Sequence, residues 1–425
     1  MSSLSPLLAK HRPDLHPYET LYKHFHSHPE LSHQEKETAT TIHRELSKLA
    51  DFSLHPNIGG HGLAAVLKNG PGKTVLLRAD MDGLPVEEQT GLPYASKARM
   101  RDRDGVEKPV MHACGHDMHI TSLLAAAELL HRAREEWSGT LLLIFQPAEE
   151  RGEGAKRMVD EGLYDQVPIP DIVLGGHVMP FRSGTLGTKK NLMATSADSM
   201  AITIYGRGGH ASQPHMTIDP VVTAASTVLK LQTIVSREVA PDDQAVVTVG
   251  SIVAGDAENI ISDRAVLKVD VRAIYPSTRE KVLKSVERIV RAESDASTAP
   301  KPPDFKPTRH FPFMYNDPEL VDKLDVHYAS HFTESPQAFI RDCPRLGGSE
   351  DFAILGTEVD RPCCFWVYGG TDPEKWDKAE KEDRLGQDIP INHSAFFAPV
   401  IQPTLKVSVD AYAIGALTWL AKSSN

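Results

Sequence analysis

The 425-residue chain is 40% hydrophobic and 24% charged, and its 46 Lys and Arg against 57 Asp and Glu give a net charge of −11. Its length exceeds the roughly 100–200 residues of a typical domain, which favours two domains, and its composition is that of a globular chain, neither disordered nor membrane-embedded. The acidic excess argues against a nucleic-acid surface and for a small-molecule partner.

From the amino end, Met1 to His16 holds polar residues and prolines but no sustained apolar core. Neither a secretory signal nor a membrane anchor is expected, and the C-terminal Ser423-Ser424-Asn425 is no peroxisomal signal, so the expectation is cytoplasmic. Thr74 to Ala79, Thr140 to Phe145 and Asp171 to Leu174 are short, nearly continuous apolar runs, as in strands covered on both faces of a parallel sheet. Between them, Ile120, Leu123, Leu124, Ala127 and Leu130 keep helical spacing over residues 120–133, and residues 152–162 supply another short helix. This alternation predicts a three-layer α/β domain with a central mixed, mainly parallel sheet.

From Ser196 the pattern changes. Strand Ala201 to Tyr205, helix Pro220 to Ser236, strands Ala245 to Ile252 and Ala265 to Ile274, helix Arg279 to Arg291 and a strand near His310 follow in turn. Asp219-Pro220 is an N-cap with proline at the first helical position, and Ser277-Thr278-Arg279-Glu280 fits a capping box. Ala265, Leu267, Val269 and Val271 alternate with Lys268, Asp270 and Arg272, as in a sheet wet on one face. The order β-α-β-β-α-β is that of a ferredoxin-like α+β unit. It spans residues 196–313, inserted into a domain made of 1–195 and 314–425. The returning chain carries Arg345 to Phe352, the apolar run Cys363 to Tyr368, Asn392-His393-Ser394 and a helix from Val407 to Leu420. Four cysteines are too few for a disulfide framework, and Cys363-Cys364 reads as a pair of core thiols.

Chemistry concentrates in His112-Ala113-Cys114-Gly115-His116-Asp117-Met118-His119, a thiol, three imidazoles and a carboxylate just before a helix. In open α/β sheets ligands bind beyond the carboxyl ends of the strands, and Asp80, Asp82, Glu149, Glu150 and His177 all fall there. Cys114 and His116, one residue apart, can both turn to one side. Thiolate and imidazole suit zinc, while carboxylates and imidazoles also suit manganese and other first-row divalent ions. Glu149 and Glu150 are neighbours that point different ways, so one can bind while the other accepts a proton from an activated water and passes it to a leaving amine. Taken singly, His177 reads as a hydrogen-bonded loop histidine and Glu149-Glu150 as a solvated acidic pair. Their convergence at successive strand ends favours a metal centre.

Further segments extend the pattern: His28-Pro29-Glu30-Leu31-Ser32, Arg78 to Pro85, Gln146-Pro147-Ala148-Glu149-Glu150, Gly208-Gly209-His210-Ala211, Gly348-Ser349-Glu350-Asp351-Phe352 and His393-Ser394. Together they resemble the aminoacylase and carboxypeptidase family of di-metal exopeptidases, in its hippurate hydrolase and auxin-amino acid conjugate hydrolase branch. The resemblance implies a metal-dependent amidohydrolase acting on N-acyl or N-aroyl amino acids. Its alternatives are a dipeptidase, an N-deacetylase or a catalytically silent binding protein. It further implies two divalent metal ions, manganese or zinc, with cobalt or nickel also compatible, held by Cys114, His116, Glu150, His177 and His393. Glu149 would be general base and acid, and Asp82 the carboxylate that orients a metal-bound imidazole. Asp117 and His119 read as outer hydrogen-bonding groups at a helix start.

By the same resemblance the insert is a lid and dimerisation domain, which implies a homodimer. His210 would stabilise the oxyanion, in many relatives at the active site of the neighbouring subunit. Asn259 and Arg272 match positions that bind the substrate near its carboxylate. The chain departs from the usual pattern in Glu258-Asn259-Ile260-Ile261-Ser262-Asp263 and in Val269-Asp270-Val271 before Arg272. Those departures bear on specificity, and Arg272 also reads as a salt-bridge partner of Asp270 or Asp263.

Overall fold

A computed structural model describes residues 4–422, so the C-terminal tripeptide lies outside the described residues. The chain forms two compact units, one of Met1–Met193, Tyr315–Arg345 and Asp351–Asn425, the other of Ala194–Met314 and Leu346–Glu350. The larger unit begins with helix α1 (His16–Ser27), strands β1 (Ser53–Ile58), β2 (Gly62–Asn69) and β3 (Thr74–Asp80), then helix α2 (His116–Arg132), β4 (Gly139–Gln146), β5 (Ile172–Arg182) and β6 (Leu186–Gly187).

The smaller unit supplies β7 (Ser196–Tyr205), β8 (Gly209–His210), α3 (Pro220–Arg237), β9 (Ala245–Ala254), β10 (Ile260–Ile261), β11 (Arg264–Ala273), α4 (Pro276–Ala296) and β12 (Asp304–Phe311). The chain then returns through β13 (Phe339–Ile340), β14 (Cys363–Thr371) and α5 (Thr404–Leu420).

The large sheet runs β1-β2-β4-β3-β5-β14-β6-β13. Strands β4, β3, β5 and β14 are parallel, and the β1-β2 pair adds antiparallel strands at one edge. From β3 the chain crosses to β4 on one side, and β5 lies on the other. The order therefore reverses at β3, and side chains beyond its carboxyl end face a crevice between diverging connections. The helices α2 and α5 are buried along most of their length and pack into the same core as Leu77, Leu143, Leu174 and Trp366 of the sheet. Cys363 and Cys364 are buried free thiols.

Strand β5 is longer than the apolar run 171–174 implies. His177 lies within it, opposite Val367 of β14, because pairing with β14 carries the strand on to Arg182. The β1-β2 pair had no sequence signal at its outer strand, Ser-Leu-His-Pro-Asn-Ile, which is mostly polar because it is an edge.

The smaller unit is an antiparallel sheet in the order β9-β11-β7-β12 with helices α3 and α4, the ferredoxin-like arrangement. Its core joins Ile202, Ile204, Leu231, Ile234, Leu267, Val271, Val282 and Val286. The Asp219 side chain caps α3 by accepting the Val221 N–H at 2.9 Å. The expected capping box on α4 does not form. Pro276, whose φ is already helical, starts the helix one residue earlier than Ser277, no side chain caps it, and the Thr278 hydroxyl donates to Asp243 instead. Among the described residues no helix is long and apolar enough to cross a membrane.

Removing the one side-chain cap on α3 with Asp219→Ala should cost about 1 kcal/mol. Hydrogen exchange of the first turn of α3 is the direct measurement, and unchanged protection there would contradict the assignment.

Candidate metal centre

The site grows from the carboxyl end of β3. Arg78, 1% exposed, is surrounded by acceptors: Nε donates to Gln146 at 2.8 Å, Nη1 to Asp80 Oδ2 at 2.7 Å and Nη2 to Asp351 at 3.4 Å. Burial works against the Asp80 charge, but Arg78 and the imidazoles of His116 and His119 outweigh it and hold the carboxyl well below its ordinary range. Asp80 Oδ1 lies 2.5 Å from His119 Nδ1, while His119 Nε2 accepts the Val178 N–H at 2.9 Å. An imidazole that accepts at Nε2 carries its proton at Nδ1, so His119 is a neutral ring with both nitrogens committed.

Two residues on, Asp82 organises a second set of groups. Its Oδ1 accepts the Glu149 N–H at 3.2 Å, and its Oδ2 accepts the Glu150 N–H at 3.1 Å and the Ser32 hydroxyl at 2.6 Å. Oδ1 also lies 3.2 Å from His116 Nδ1. Against the cost of burial, His116 and Ser32 hold the Asp82 carboxyl below its ordinary value. The turn carrying Glu149 and Glu150 starts at Ala148, whose φ of 51° is left-handed, and Glu35 accepts the Ala148 N–H at 2.8 Å. Burial and the nearby Asp82 charge push the Glu35 carboxyl up to about 8.

Above this frame, Cys114, His116 and Glu150 each offer a ligand atom, all within 4.8 Å of one another. His177 Nε2 is 3.4 Å from Cys114 Sγ, and its Nδ1–H donates to the Val178 carbonyl at 2.7 Å, which leaves the Nε2 lone pair facing the thiol. His393 Nε2 is 3.3 Å from Glu150 Oε1. The His393 backbone has a left-handed φ of 70°, a conformation that costs of order 1–3 kcal/mol outside glycine. Its N–H donates to the Ala113 carbonyl at 2.8 Å, and Asn392 Nδ2 reaches the carbonyls of Cys114 and Val178. Glu149 Oε2 is 3.9 Å from His116 Nε2.

Two of these donor atoms, His116 Nε2 and Glu150 Oε1, are buried without a hydrogen-bond partner among the described residues. Buried polar atoms are ordinarily satisfied, and a cation would satisfy these. Soft thiolate, imidazole and carboxylate donors around one point fit a first-row divalent ion.

Residues 76–385 match the family described as Peptidase family M20/M25/M40. The chain belongs to that family. Hippurate hydrolase of Campylobacter jejuni is 42% identical over 342 residues, 80% of this chain and 84% of that protein. N-acetyl-L-cysteine deacetylase of Bacillus subtilis is 40% identical over 356 residues, 83% of this chain and 80% of that one. A crystal structure of a dinuclear metal-binding M20 peptidase from Bacillus subtilis superposes with a TM-score of 0.71 at 27% identity, covering 97% of this chain and 98% of that one. This M20 protein is accordingly a metal-dependent hydrolase with a candidate ligand cluster at the end of β3.

In the smaller unit of this M20 chain, His210 and Asn259 are brought together: β8 pairs with β10, and the Ala211 N–H donates to the Asn259 carbonyl at 3.0 Å. His210 Nδ1 accepts the Ser212 N–H at 3.1 Å, so the neutral ring carries its proton on Nε2. Arg272 stands apart on β11, where Nε donates to Asp270 at 2.9 Å and Nη1 lies 3.5 Å from Ser349 Oγ. Asp263 is not its partner in these contacts.

Sequence reasoning read His119 as an outer hydrogen-bonding group, and it is bonded to Asp80 and Val178; it placed Asp80 at a strand end without a role and missed Arg78. The apolar run of β3 marked their location, yet their partners come from β4, α2 and a segment 273 residues away. His112, the third imidazole of the motif, is buried with neither nitrogen hydrogen-bonded, and burial lowers it to about 4, so it is neutral.

Gly115 has a φ of 84°, and a Cβ there would lie 2.4 Å from Val178 Cγ1. Gly115→Ala should therefore lower thermal stability, with backbone strain alone of order 1–3 kcal/mol, and reduce metal uptake. Wild-type stability and uptake in that variant would show that the turn relaxes freely.

Proposed function

We propose that the protein hydrolyses the amide bond of N-acyl or N-aroyl amino acids, with Cys114, His116, Glu150, His177 and His393 holding two divalent ions and Glu149 moving the proton. The observation that carries this reading is the cluster of unsatisfied donors with a second carboxylate beside it: His116 Nε2 lies 3.8 Å from Glu150 and 3.9 Å from Glu149. Bound divalent ions acidify water and polarise a carbonyl. Manganese or zinc fits the donors, with cobalt and nickel also compatible.

Glu149 accepts the proton of the attacking water and returns it to the amine nitrogen as the C–N bond breaks, which releases a carboxylic acid and an amino acid. Asp82 fixes the Glu149 and Glu150 amides and so sets the different directions of the two side chains. Asp82 also faces His116 Nδ1, which leaves Nε2 as the ligand atom. His210 is the proposed oxyanion donor, through its Nε2–H. Asn259 is the proposed amide donor to the substrate carboxylate. Arg272 is the proposed cation for the same group, and Asp270 is the counter-ion that the substrate would displace or share.

The named relatives differ in their acyl group, a benzoyl amide in one name and an acetyl amide in the other, so the amino-acid end is the shared element of the proposed substrate. Release of free amino acid from N-acetyl, N-benzoyl and N-indoleacetyl amino acids, with dipeptides alongside, tests the class. Cleavage of dipeptides alone would favour a dipeptidase. A homodimer is proposed through the smaller unit, whose edge strand β9 exposes Val246, Ile252 and Val253 and whose helix α3 exposes Val222 and Leu229.

Glu149→Gln should lower kcat by roughly 10²–10⁴-fold while leaving metal content unchanged. Turnover near wild type would remove Glu149 from its role. Without metal, burial and the Glu150 and Glu149 carboxylates raise the Cys114 thiol well above its ordinary value. Burial opposes charge on His116, but Asp80 and Asp82 overcome it and raise the ring to about 10. Both groups are thus protonated at neutral pH and must release protons to bind a cation. Manganese affinity should therefore rise with pH, by about tenfold per unit for each proton released. Calorimetric titrations between about pH 6 and 8 measure this, and a flat profile would contradict the thiolate and imidazole ligands.

A further inference from the structure

A second buried cluster lies behind the metal centre, on α1. His26 is fully buried, with Nδ1 2.6 Å from Asp117 Oδ2 and Nε2 3.0 Å from Glu88 Oε1. Both carboxylates are themselves buried side chains, and the rings of Tyr94 and Tyr22 pack against the imidazole at centroid distances of 5.3 and 5.7 Å. An imidazole between two carboxylates and walled by aromatic rings serves as a double hydrogen-bond donor.

Each carboxylate fastens a different piece of backbone. Asp117 follows His116 and also accepts the Met118 N–H at 2.9 Å, which sets the first turn of α2. Glu88 accepts the Ser96 N–H at 2.6 Å and the Thr90 hydroxyl, which closes the loop that leaves β3. The next residue in that loop, Gln89, donates its N–H to the Ala395 carbonyl at 2.8 Å, two residues beyond His393. His393 in turn donates its N–H to Ala113, one residue before Cys114, at 2.8 Å.

These contacts form a closed circuit. It runs from His26 through Asp117 along the chain to Ala113, across to His393, along to Ala395, across to Gln89 and back through Glu88 to His26. Three of the proposed ligands, Cys114, His116 and His393, ride on it. His393 depends on it most, because its side chain is 54% exposed and its backbone is held in a left-handed conformation.

We propose that His26 is a positioning residue of the metal centre, which fixes the spacing between the Cys114–His116 segment and His393 by joining Asp117 to Glu88. The inference rests on the ligand assignment given above. Burial opposes a charge on His26, but its hydrogen bonds to Asp117 and Glu88 and the charges of both raise it to about 9, which agrees with donation from both nitrogens.

The test is calorimetric titration of manganese ions into metal-stripped wild type, His26→Gln, Glu88→Ala and Glu88→Gln, with thermal unfolding of each metal-free form. Wild type is expected to take up two equivalents. His26→Gln and Glu88→Ala should lose roughly ten- to hundredfold in affinity for at least one ion, the usual cost of removing a group that orients a ligand. Glu88→Gln keeps an acceptor for His26 and should recover most of that loss. A residue that only stabilises the fold would lower the unfolding midpoint and leave manganese affinity unchanged. The Glu88 variants leave the His26–Asp117 contact in place and decide the question if His26→Gln does not fold. Wild-type affinities in folded Glu88→Ala would overturn the positioning role while leaving the ligands standing. Failure of wild type itself to bind manganese would remove both.

Discussion

One carboxylate, Asp82, sets the geometry on which the site depends. It receives two successive backbone amides, a hydroxyl and the Nδ1 edge of an imidazole, from three separate stretches of chain. Because both oxygens are spoken for, the Glu149–Glu150 turn cannot rotate without breaking charge-assisted hydrogen bonds, each worth about 1.5–3 kcal/mol. The position of Asp82 is in turn fixed by β3, a central strand paired on both sides. The sheet thereby transmits its rigidity to the two glutamates and to His116.

Around this anchor the larger unit buries more acid than ordinary packing tolerates. Asp80, Asp82, Asp117, Glu35, Glu149 and Glu150 are all buried. Some of that charge is met internally: Arg78 serves Asp80 and Asp351, and His26 serves Asp117 and Glu88. Breaking such a buried pair by removing one partner typically costs about 3–5 kcal/mol. What remains unmet lies on the Cys114 side of His116, where His116 Nε2 and Glu150 Oε1 are buried without hydrogen bonds. The division separates two tasks. The Arg78 and His26 networks hold the walls, and the unpaired atoms are among the proposed cation ligands.

Much of this was legible in the chain, for identifiable reasons. Strands β3 and β4 announce themselves as apolar runs because they are covered on both faces, and the rule that ligands gather beyond parallel strand ends brings Asp82, Glu149 and Glu150 together. The density of donors in residues 112–119 marks the segment but does not sort its members. His116 faces the donor cluster, His119 is committed to Asp80 and Val178, and His112 has no partner, distinctions that depend on β5 and on residues distant in sequence. His26 was silent for a similar reason. It sits on α1 between His24 and His28, whose tilted rings lie 4.5 Å apart, and nothing local separates the buried ring from its neighbours. The capping box at Ser277 failed because proline one residue earlier had already started the helix.

The most direct measurement is anomalous diffraction at the manganese edge from crystals of the manganese-loaded protein. Two peaks are predicted, bonded between them to Cys114, His116, Glu150, His177 and His393, with Glu149 beside them and outside the coordination sphere. Metal bound instead through His119 and Asp80, or Glu149 bound as a ligand with no carboxylate left to carry the proton, would contradict the arrangement set by Asp82.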